Sequence, residues 1–335
     1  MNKKEEVSII VPIYNVEKYV SECLQSLICQ TYKYIKIYAI IDGSPDNSVV
    51  IVKEMAKADS RIICIEKENG GYGSVLQMAI EMIDSKYFLI CDPDDWLASD
   101  AVESLINCAL ENNSDIVCGN RINVYKYANK KEKIDINANN RYLNGSSLEN
   151  QNVGIAAFSE CSPHSKLYRT SICKNILFEK KVNYTDFTLF MVALSNAKKV
   201  NFVESYASYY LFDRPGNSAT DLNLKKFNSY IKVWYSTFEQ IENTEDIWLL
   251  WRLYIQILGN LGELSVINEK SKEYYEIIDS YKTIFEKFIP YKDKMLSFHE
   301  FSYKHRLMFP IFLNKALNKM MIKLWLKYKS MRKVN

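Results

Sequence analysis

The sequence predicts an α/β protein in which a mostly parallel sheet with crossover helices is followed by a mainly helical C-terminal region. Three observations carry this prediction. Residues 7–120 alternate short β-rich runs with segments of helical period, the pattern of strands joined by crossover helices. The polar residues of that stretch gather where the strand candidates end. From about Leu222 the pattern changes to long helical stretches that hold four of the five tryptophans. The chain therefore divides into an α/β domain over 1–221, with halves 1–120 and 121–221, and a helical region over 222–335.

Taken in order, the strand candidates are Val7–Ile13, Lys36–Ile41, Arg61–Ile65, Tyr87–Cys91 and Asp115–Cys118. Between them, Tyr19, Cys23, Leu24, Leu27 and Ile28 recur at helical spacing, as do Val75, Leu76, Ala79, Ile80 and Ile83, then Val102, Leu105, Ile106 and Ala109. Residues 121–152 are rich in Asn and Lys and read as a strand or two with an irregular excursion. A helix follows over Thr185–Ala197, then a pair of aromatic strands over Val200–Phe212.

Composition bounds the function. A chain of 335 residues builds its own core, and a net charge of +3 leaves no electrostatic footprint for nucleic acid. The eight cysteines lie mostly in apolar runs without a C-x-x-C pair, and read as reduced core residues. No h-region precedes the first strand and no apolar run approaches about 18 residues, so a cytoplasmic protein is expected. The 24 tyrosines suit polar, ring-shaped ligands, or equally the edges of an amphipathic core.

The chemistry gathers at the strand ends. Cys91-Asp92-Pro93-Asp94-Asp95-Trp96 places three carboxylates in four residues directly after an apolar strand. Such groups repel and raise one another's pKa unless a cation or solvent relieves them. A hard divalent ion, Mg²⁺ or Mn²⁺, fits one or two carboxylates with substrate phosphates completing its shell; a solvated turn capping the next helix is the alternative. Ile41-Asp42-Gly43-Ser44-Pro45-Asp46-Asn47-Ser48 follows the second strand, and Pro12-Ile13-Tyr14-Asn15 closes the first with a ring and an amide. In open α/β sheets these carboxyl ends converge on one crevice.

Read in order, the motifs Val7–Tyr19, Asp42–Ser48, Glu68-Asn69-Gly70-Gly71 and Asp92-Pro93-Asp94-Asp95-Trp96-Leu97 resemble the family 2 glycosyltransferases of the GT-A fold, a Rossmann-like nucleotide-diphospho-sugar transferase fold. A weaker likeness covers Ser165–Arg169, Tyr184-Thr185-Asp186, Tyr209-Tyr210 and Arg214–Ser218. The resemblance implies that 1–120 binds the nucleotide and 121–221 the acceptor. It implies that Pro12, Tyr14 and Asn15 line the nucleobase and ribose pocket, with Asp42 hydrogen-bonding the base and Ser44 in the same turn. Asp92 and Asp94 correspond to the D-x-D motif, serving the ribose and the metal–diphosphate, with Asp95 close by. Apart from the resemblance, His164, just before the Lys166 segment, is either a further metal donor from the far side or a packed or surface histidine. Asp186 corresponds to the catalytic base of an inverting transfer; by its position alone it is equally a helix N-terminal Asp favoured by the dipole. Trp96, read from its own chemistry, either walls the acceptor side by stacking on a sugar ring or simply packs.

The sequence departs from the family pattern at three places. Ile41 stands where an Asp usually precedes Asp42, Leu76 and Gln77 stand where an Arg-Asn pair is usual, and Thr185 replaces a Glu. Arg214 and Lys166 are then the cations left to meet the diphosphate. The partners expected are a nucleotide-diphosphate sugar, a UDP-sugar by family analogy, and a glycan or lipid-linked acceptor of cell-surface type. A catalytically silent sugar-nucleotide or glycan-binding module, and a phosphotransferase using Asp92, are the rival readings.

The tail is basic, with nine Lys or Arg residues and no Asp or Glu from Phe301 onward. Lys315, Lys319, Lys323 and Lys327 form one helical column, and Ala316, Leu317, Met320, Met321 and Leu324 the opposing stripe, with Trp325 near the boundary. Two readings stand open: peripheral contact with the inner face of the cell membrane through 312–327, or a terminal helix docked on the body with a solvated Lys face.

Overall fold

A computed structural model describes residues 4–126, 128–137, 140–214, 223–244, 246–267 and 271–333. The chain forms two compact units, Met1–Asn217 and Ser218–Asn335.

The first unit is built on one mixed sheet. In chain order its elements are β1 (Val7–Ile13), α1 (Val20–Ile28), β2 (Ile35–Asp42), α2 (Ser48–Ala58), β3 (Ile62–Lys67), α3 (Tyr72–Met82), β4 (Tyr87–Ile90), β5 (Trp96–Leu97), α4 (Ala101–Asn112), β6 (Ile116–Tyr125), β7 (Lys130–Ile134), β8 (Ser147–Glu149), β9 (Lys166–Arg169), α5 (Thr185–Asn196) and β10 (Lys199–Leu211). Every residue of β1 is buried, so its run Val-Ser-Ile-Ile-Val-Pro-Ile shows no alternation, as expected of a parallel strand covered on both faces.

The sheet order is β3-β2-β1-β4-β9-β6-β10-β5, with β7 on β6 and β8 on β10. β2 and β4 pair in parallel with opposite sides of β1. The winding therefore reverses at β1, and ligands of such sheets bind beyond the carboxyl ends at that reversal. β9 enters antiparallel between β4 and β6, which carries the segment before Lys166 to the same end of the sheet.

Two strand expectations change. Val200–Phe212 is one long strand, not a pair: β10 stays parallel to β6 through register shifts between Phe202, Tyr206 and Ser208. Such bulges interrupt the side-chain alternation without ending the strand. β6 runs past Cys118 to Tyr125 because β7 and β10 pair along it, holding buried Asn120, Arg121 and Asn123 in a strand that local propensity ends at Gly119. Four cysteines, Cys23, Cys91, Cys118 and Cys173, are buried and Cys29 is exposed.

The second unit comprises α6 (Leu224–Ile241), α7 (Ile247–Leu264), α8 (Lys272–Glu286), α9 (Lys292–Ser297), α10 (Tyr303–Leu313) and α11 (Asn318–Lys333). Asn223, Asp246 and Ser271 cap α6, α7 and α8 by accepting from backbone N–H groups of the first turn. Trp251 and Tyr254 of α7 pack on Phe301 with ring centres 4.6 and 5.8 Å apart. α11 docks on α7 and α8 through buried Ile322, Trp325 and Leu326. The Trp325 indole donates to the Leu258 carbonyl at 3.4 Å, and Lys319 pairs with Asp279 at 2.6 Å. The buried seam is thus not the predicted stripe, since Leu317, Met320 and Leu324 point outward, 41–55% exposed. No described helix is long and apolar enough to cross a membrane.

Candidate active site

At the reversal point two turns are stitched together. The backbone N–H of Asn15, a residue in the left-handed region (φ 54°), donates to Ser44 Oγ at 2.8 Å. Ser44 donates to Asp46 at 2.6 Å, and Asp46 accepts from the Glu17 N–H at 2.8 Å. These bonds hold the segment after β1 against the turn after β2 and leave the Tyr14 ring half exposed at the strand end. Pro12 stays within the sheet, opposite Ile40. Ile41, the departure from the family's acidic pair, is 1% exposed in the apolar core beside Ile13.

Asp42 is nearly fully buried, and its carboxylate is already engaged. It accepts from the N–H groups of Gly70 at 2.9 Å and Gly71 at 2.7 Å, and from the Lys67 ammonium at 2.6 Å. The turn it holds requires glycine. Gly71 has φ +81°, and a Cβ there would lie 2.8 Å from the Lys181 nitrogen. The next residue, Tyr72, opens α3 and donates its hydroxyl to Asp92 Oδ1 at 2.8 Å. A continuous polar chain thus runs from the end of β2 to the end of β4. At the two positions of the expected Arg-Asn pair on α3, Leu76 is buried, and Gln77 donates to Glu81 and accepts from the Phe178 N–H.

The three aspartates after β4 diverge. His164 Nε2 lies 2.6 Å from Asp95 Oδ2 and 3.8 Å from Asp92 Oδ2, while Asp94 forms a close ion pair with Arg214. Asp95 Oδ1 accepts from the Leu211 N–H at 2.7 Å, which ties the cluster to the end of β10. Burial, opposed by His164, pushes the Asp92 carboxyl up to about 7. Burial and the neighbouring Asp94 raise Asp95 well above the carboxylate range. Burial lowers the His164 imidazole despite Asp92 beside it. Desolvated acids next to an imidazole that resists protonation form a site short of positive charge.

The donor set fits a divalent ion. Ligand atoms of Asp92, Asp95 and His164 all lie within 4.8 Å of one another, and His164 Nδ1 is buried without a hydrogen-bond partner. Nitrogen and carboxylate donors of this kind suit Mn²⁺ well and Mg²⁺ through the carboxylates.

Asp186 sits in the first turn of α5. Burial raises its pKa, with His164 and Lys166 among the charges acting against it, and burial, Asp92 and then Asp186 itself raise Tyr72, so it belongs to the same electrostatic neighbourhood. Lys166 is buried, donates to the Ser162 carbonyl and lies 5.0 Å from the Phe190 ring centre. Trp96 stacks on Tyr209 at 5.5 Å and 12°. The remainder of the expected Arg-x-Gly-Ser turn, Pro215–Ser218, lies outside the described residues.

Sequence reasoning missed Lys67, Tyr72 and Arg121, and gave Tyr210 no role in the site. Tyr72 directly follows the Glu68-Asn69-Gly70-Gly71 motif, and only its hydroxyl's contact with Asp92 marks it as part of the site. Arg121 pairs with Glu160 and lies over the Tyr210 ring, which in turn packs 4.7 Å from His164. Nothing local in the sequence marks that arrangement, because it depends on β6, β9 and β10 being neighbours.

The family model described as "Glycosyl transferase family 2" matches residues 8–177, half of the chain. The chain belongs to glycosyl transferase family 2. Similar proteins include Glycosyltransferase GlyA of Streptococcus pneumoniae serotype 4, 34% identical over 184 residues, which is 52% of this chain and 26% of that protein. The uncharacterized glycosyltransferase EpsJ of Bacillus subtilis is 30% identical over 234 residues, 65% of this chain and 64% of that protein. The poly(ribitol-phosphate) beta-glucosyltransferase of Bacillus spizizenii is 30% identical over 223 residues, 63% of this chain and 33% of that protein. The chain thus spans between about a quarter and just under two-thirds of the length of these relatives. Among solved structures, residues 1–349 of S. aureus TarS in complex with UDP superpose with a TM-score of 0.74 at 18% identity, covering 98% of this chain and 92% of that one. The likeness establishes the fold as GT-A with a helical C-terminal region.

Proposed function

We propose that this family 2 member is an inverting, divalent-metal-dependent glycosyltransferase that moves a sugar from a UDP-sugar to a cell-surface glycan or its lipid-linked precursor, at the cytoplasmic side of the membrane. The observation that carries the reading is the convergence of Asp92, Asp95 and His164 within 4.8 Å, with Arg214 on Asp94, beyond the strand ends where the sheet reverses. UDP is favoured because TarS, of the same fold, was crystallised with UDP and with UDP-GlcNAc.

In this reading the nucleoside lies along Pro12, Tyr14, Asn15 and Ser44, where Tyr14 offers an exposed ring face to the base. Asp42, with three donors already on its carboxylate, sets the edge of that pocket by holding the Gly70–Gly71 turn. Asp92, Asp95 and His164 supply the converged donors for the ion, and Asp94, paired with Arg214, turns to it when the diphosphate takes Arg214. A bound Mn²⁺ or Mg²⁺ stabilises charge on the departing diphosphate. Arg214 is the cation at hand for the same phosphates, and Lys166 contributes positive potential from beneath. Asp186 takes the proton from the acceptor hydroxyl as it attacks, and burial, by raising its pKa, makes it the stronger base once ionised. Trp96 and Tyr209 present a stacked aromatic surface suited to a sugar ring.

Calorimetric titration with UDP, GDP, CDP and dTDP, each with Mn²⁺ and again with EDTA, tests this reading. Binding of UDP alone, lost with EDTA and in Asp94→Ala, is the expected result. Binding that ignores the metal and Asp94, or no binding at all, sinks it.

A further inference from the structure

The docking of α11 buries one of its apolar faces and leaves another uncovered. Met320, Leu324 and Met331 fall four and seven residues apart on α11, hence in one stripe, with Leu317 in the turn just before the helix; Leu317, Met320, Leu324 and Met331 are 41%, 52%, 55% and 55% exposed. On α10, which packs against α11, Tyr303 is 77% and Leu307 55% exposed. The two helices adjoin where the Lys304 ammonium lies 4.9 Å from the ring centres of both Trp325 and Tyr328. Large apolar side chains grouped this way on a surface mark an interaction site.

Charge selects the partner. Nine Lys or Arg residues and no Asp or Glu follow Phe301, and Lys304, Lys315, Lys323 and Lys327 are exposed around the stripe. Among the described residues, Lys319 alone of its column is tied to an acid, Asp279. A second copy of the chain, docked symmetrically on this face, would set lysine against lysine with no carboxylate from this segment between them, a repulsive arrangement. An anionic bilayer offers what both sets of side chains lack: hydrocarbon for the stripe and phosphate for the rim.

We propose that the outward face of α11, with the exposed start of α10, binds the surface of an anionic lipid bilayer. The proposal deepens the lipid-linked acceptor reading and rests on it only for its purpose, since the face lies in the helical unit and involves no donor-site residue. Exposed lysines near such a surface and CH₂ groups buried in it add to one another, so a few of each give measurable, reversible adsorption.

The test is co-sedimentation of the full chain with vesicles of phosphatidylcholine alone, and with about a third phosphatidylglycerol, at low and high salt. The triple variant Leu317→Glu, Met320→Glu and Leu324→Glu changes only exposed side chains and should retain the wild-type thermal melt. The expected result is sedimentation with the phosphatidylglycerol vesicles that weakens in salt and falls about tenfold or more in the triple variant. Wild-type protein that stays in the supernatant, or a triple variant that sediments like the wild type, overturns the proposal. So does light scattering that shows a wild-type dimer converted to monomer by the triple change, which would assign the face to a second copy. UDP titration of both proteins separates this outcome from failure of the donor reading, which the triple change should leave untouched.

Discussion

Asp42 gives the sharpest test of how the site is built, because two roles for it predict opposite results. The resemblance to family 2 assigns it to the base; the structure shows its carboxylate engaged by Gly70 N–H, Gly71 N–H and Lys67. Asp42→Asn preserves shape but removes the charge and turns one acceptor into a donor facing a donor. Leaving one member of a buried ion pair without its partner costs about 3–5 kcal/mol. Lys67 retains the Glu68 carbonyl and the Ser74 hydroxyl, which places the loss near the lower end, about 3 kcal/mol. For a unit of this size each kcal/mol moves Tm by roughly 2–4 °C, so the melt should fall by about 6–12 °C. Circular dichroism on the full chain measures it. The double variant Asp42→Asn with Lys67→Met should be less destabilised than the sum of the singles, because the orphaned ammonium is gone. A melt unchanged within about 2 °C, together with a large loss of UDP affinity, would refute the anchoring role and restore the base contact.

Asp186→Asn should lower transfer by about 10²–10⁴-fold, the range for losing a general base, while UDP affinity stays close to wild type. Because burial raises the Asp186 pKa, activity should climb with pH along an acid limb that lies above the ordinary carboxylate range, as a kcat/KM profile would show; a limb at or below that range contradicts the assignment. The same shift has a stability consequence of known sign. A raised folded pKa means the native state holds the proton more tightly than the unfolded chain, so that contribution is fully present below the unfolded carboxylate range and is lost as pH rises from there through the raised folded pKa. Asp186→Asn should therefore melt slightly higher than wild type at neutral pH, and a lower melt would count against it. Tyr72→Phe removes the hydroxyl donated to Asp92, and should weaken Mn²⁺-dependent UDP binding by about 1.5–3 kcal/mol, the value of a hydrogen bond to a charged group; calorimetry with an unchanged affinity would dismiss the contact.

Much of the first unit was legible because its signals are local. The run Val7–Ile13 has no polar interruption beyond Ser8, and it is a strand with the predicted bounds. Turn residues followed each such run, so the crossover order and the clustering of Tyr14, Asp42 and Asp92 at one end of the sheet could be read directly. Two strand readings failed for the opposite reason. The extent of β6 beyond Cys118 and the continuity of β10 through its bulges depend on their pairing with each other, and a strand's partner leaves no mark in its own periodicity.

The sequence by itself determined the α/β order, the strand-end motifs and the presence of three crowded carboxylates, because these rest on spacing along the chain. Only the tertiary structure decided which partner each carboxylate receives: Asp42 the glycine turn and Lys67, Asp92 the Tyr72 hydroxyl, Asp94 Arg214, and Asp95 His164 with the Leu211 N–H. The partners of the last two lie 69 to 120 residues away. The same holds for α11, whose period announced an amphipathic helix while its packing on α7 and α8 decided which apolar side it buries. Period is a property of one segment; burial belongs to the neighbours that fold against it.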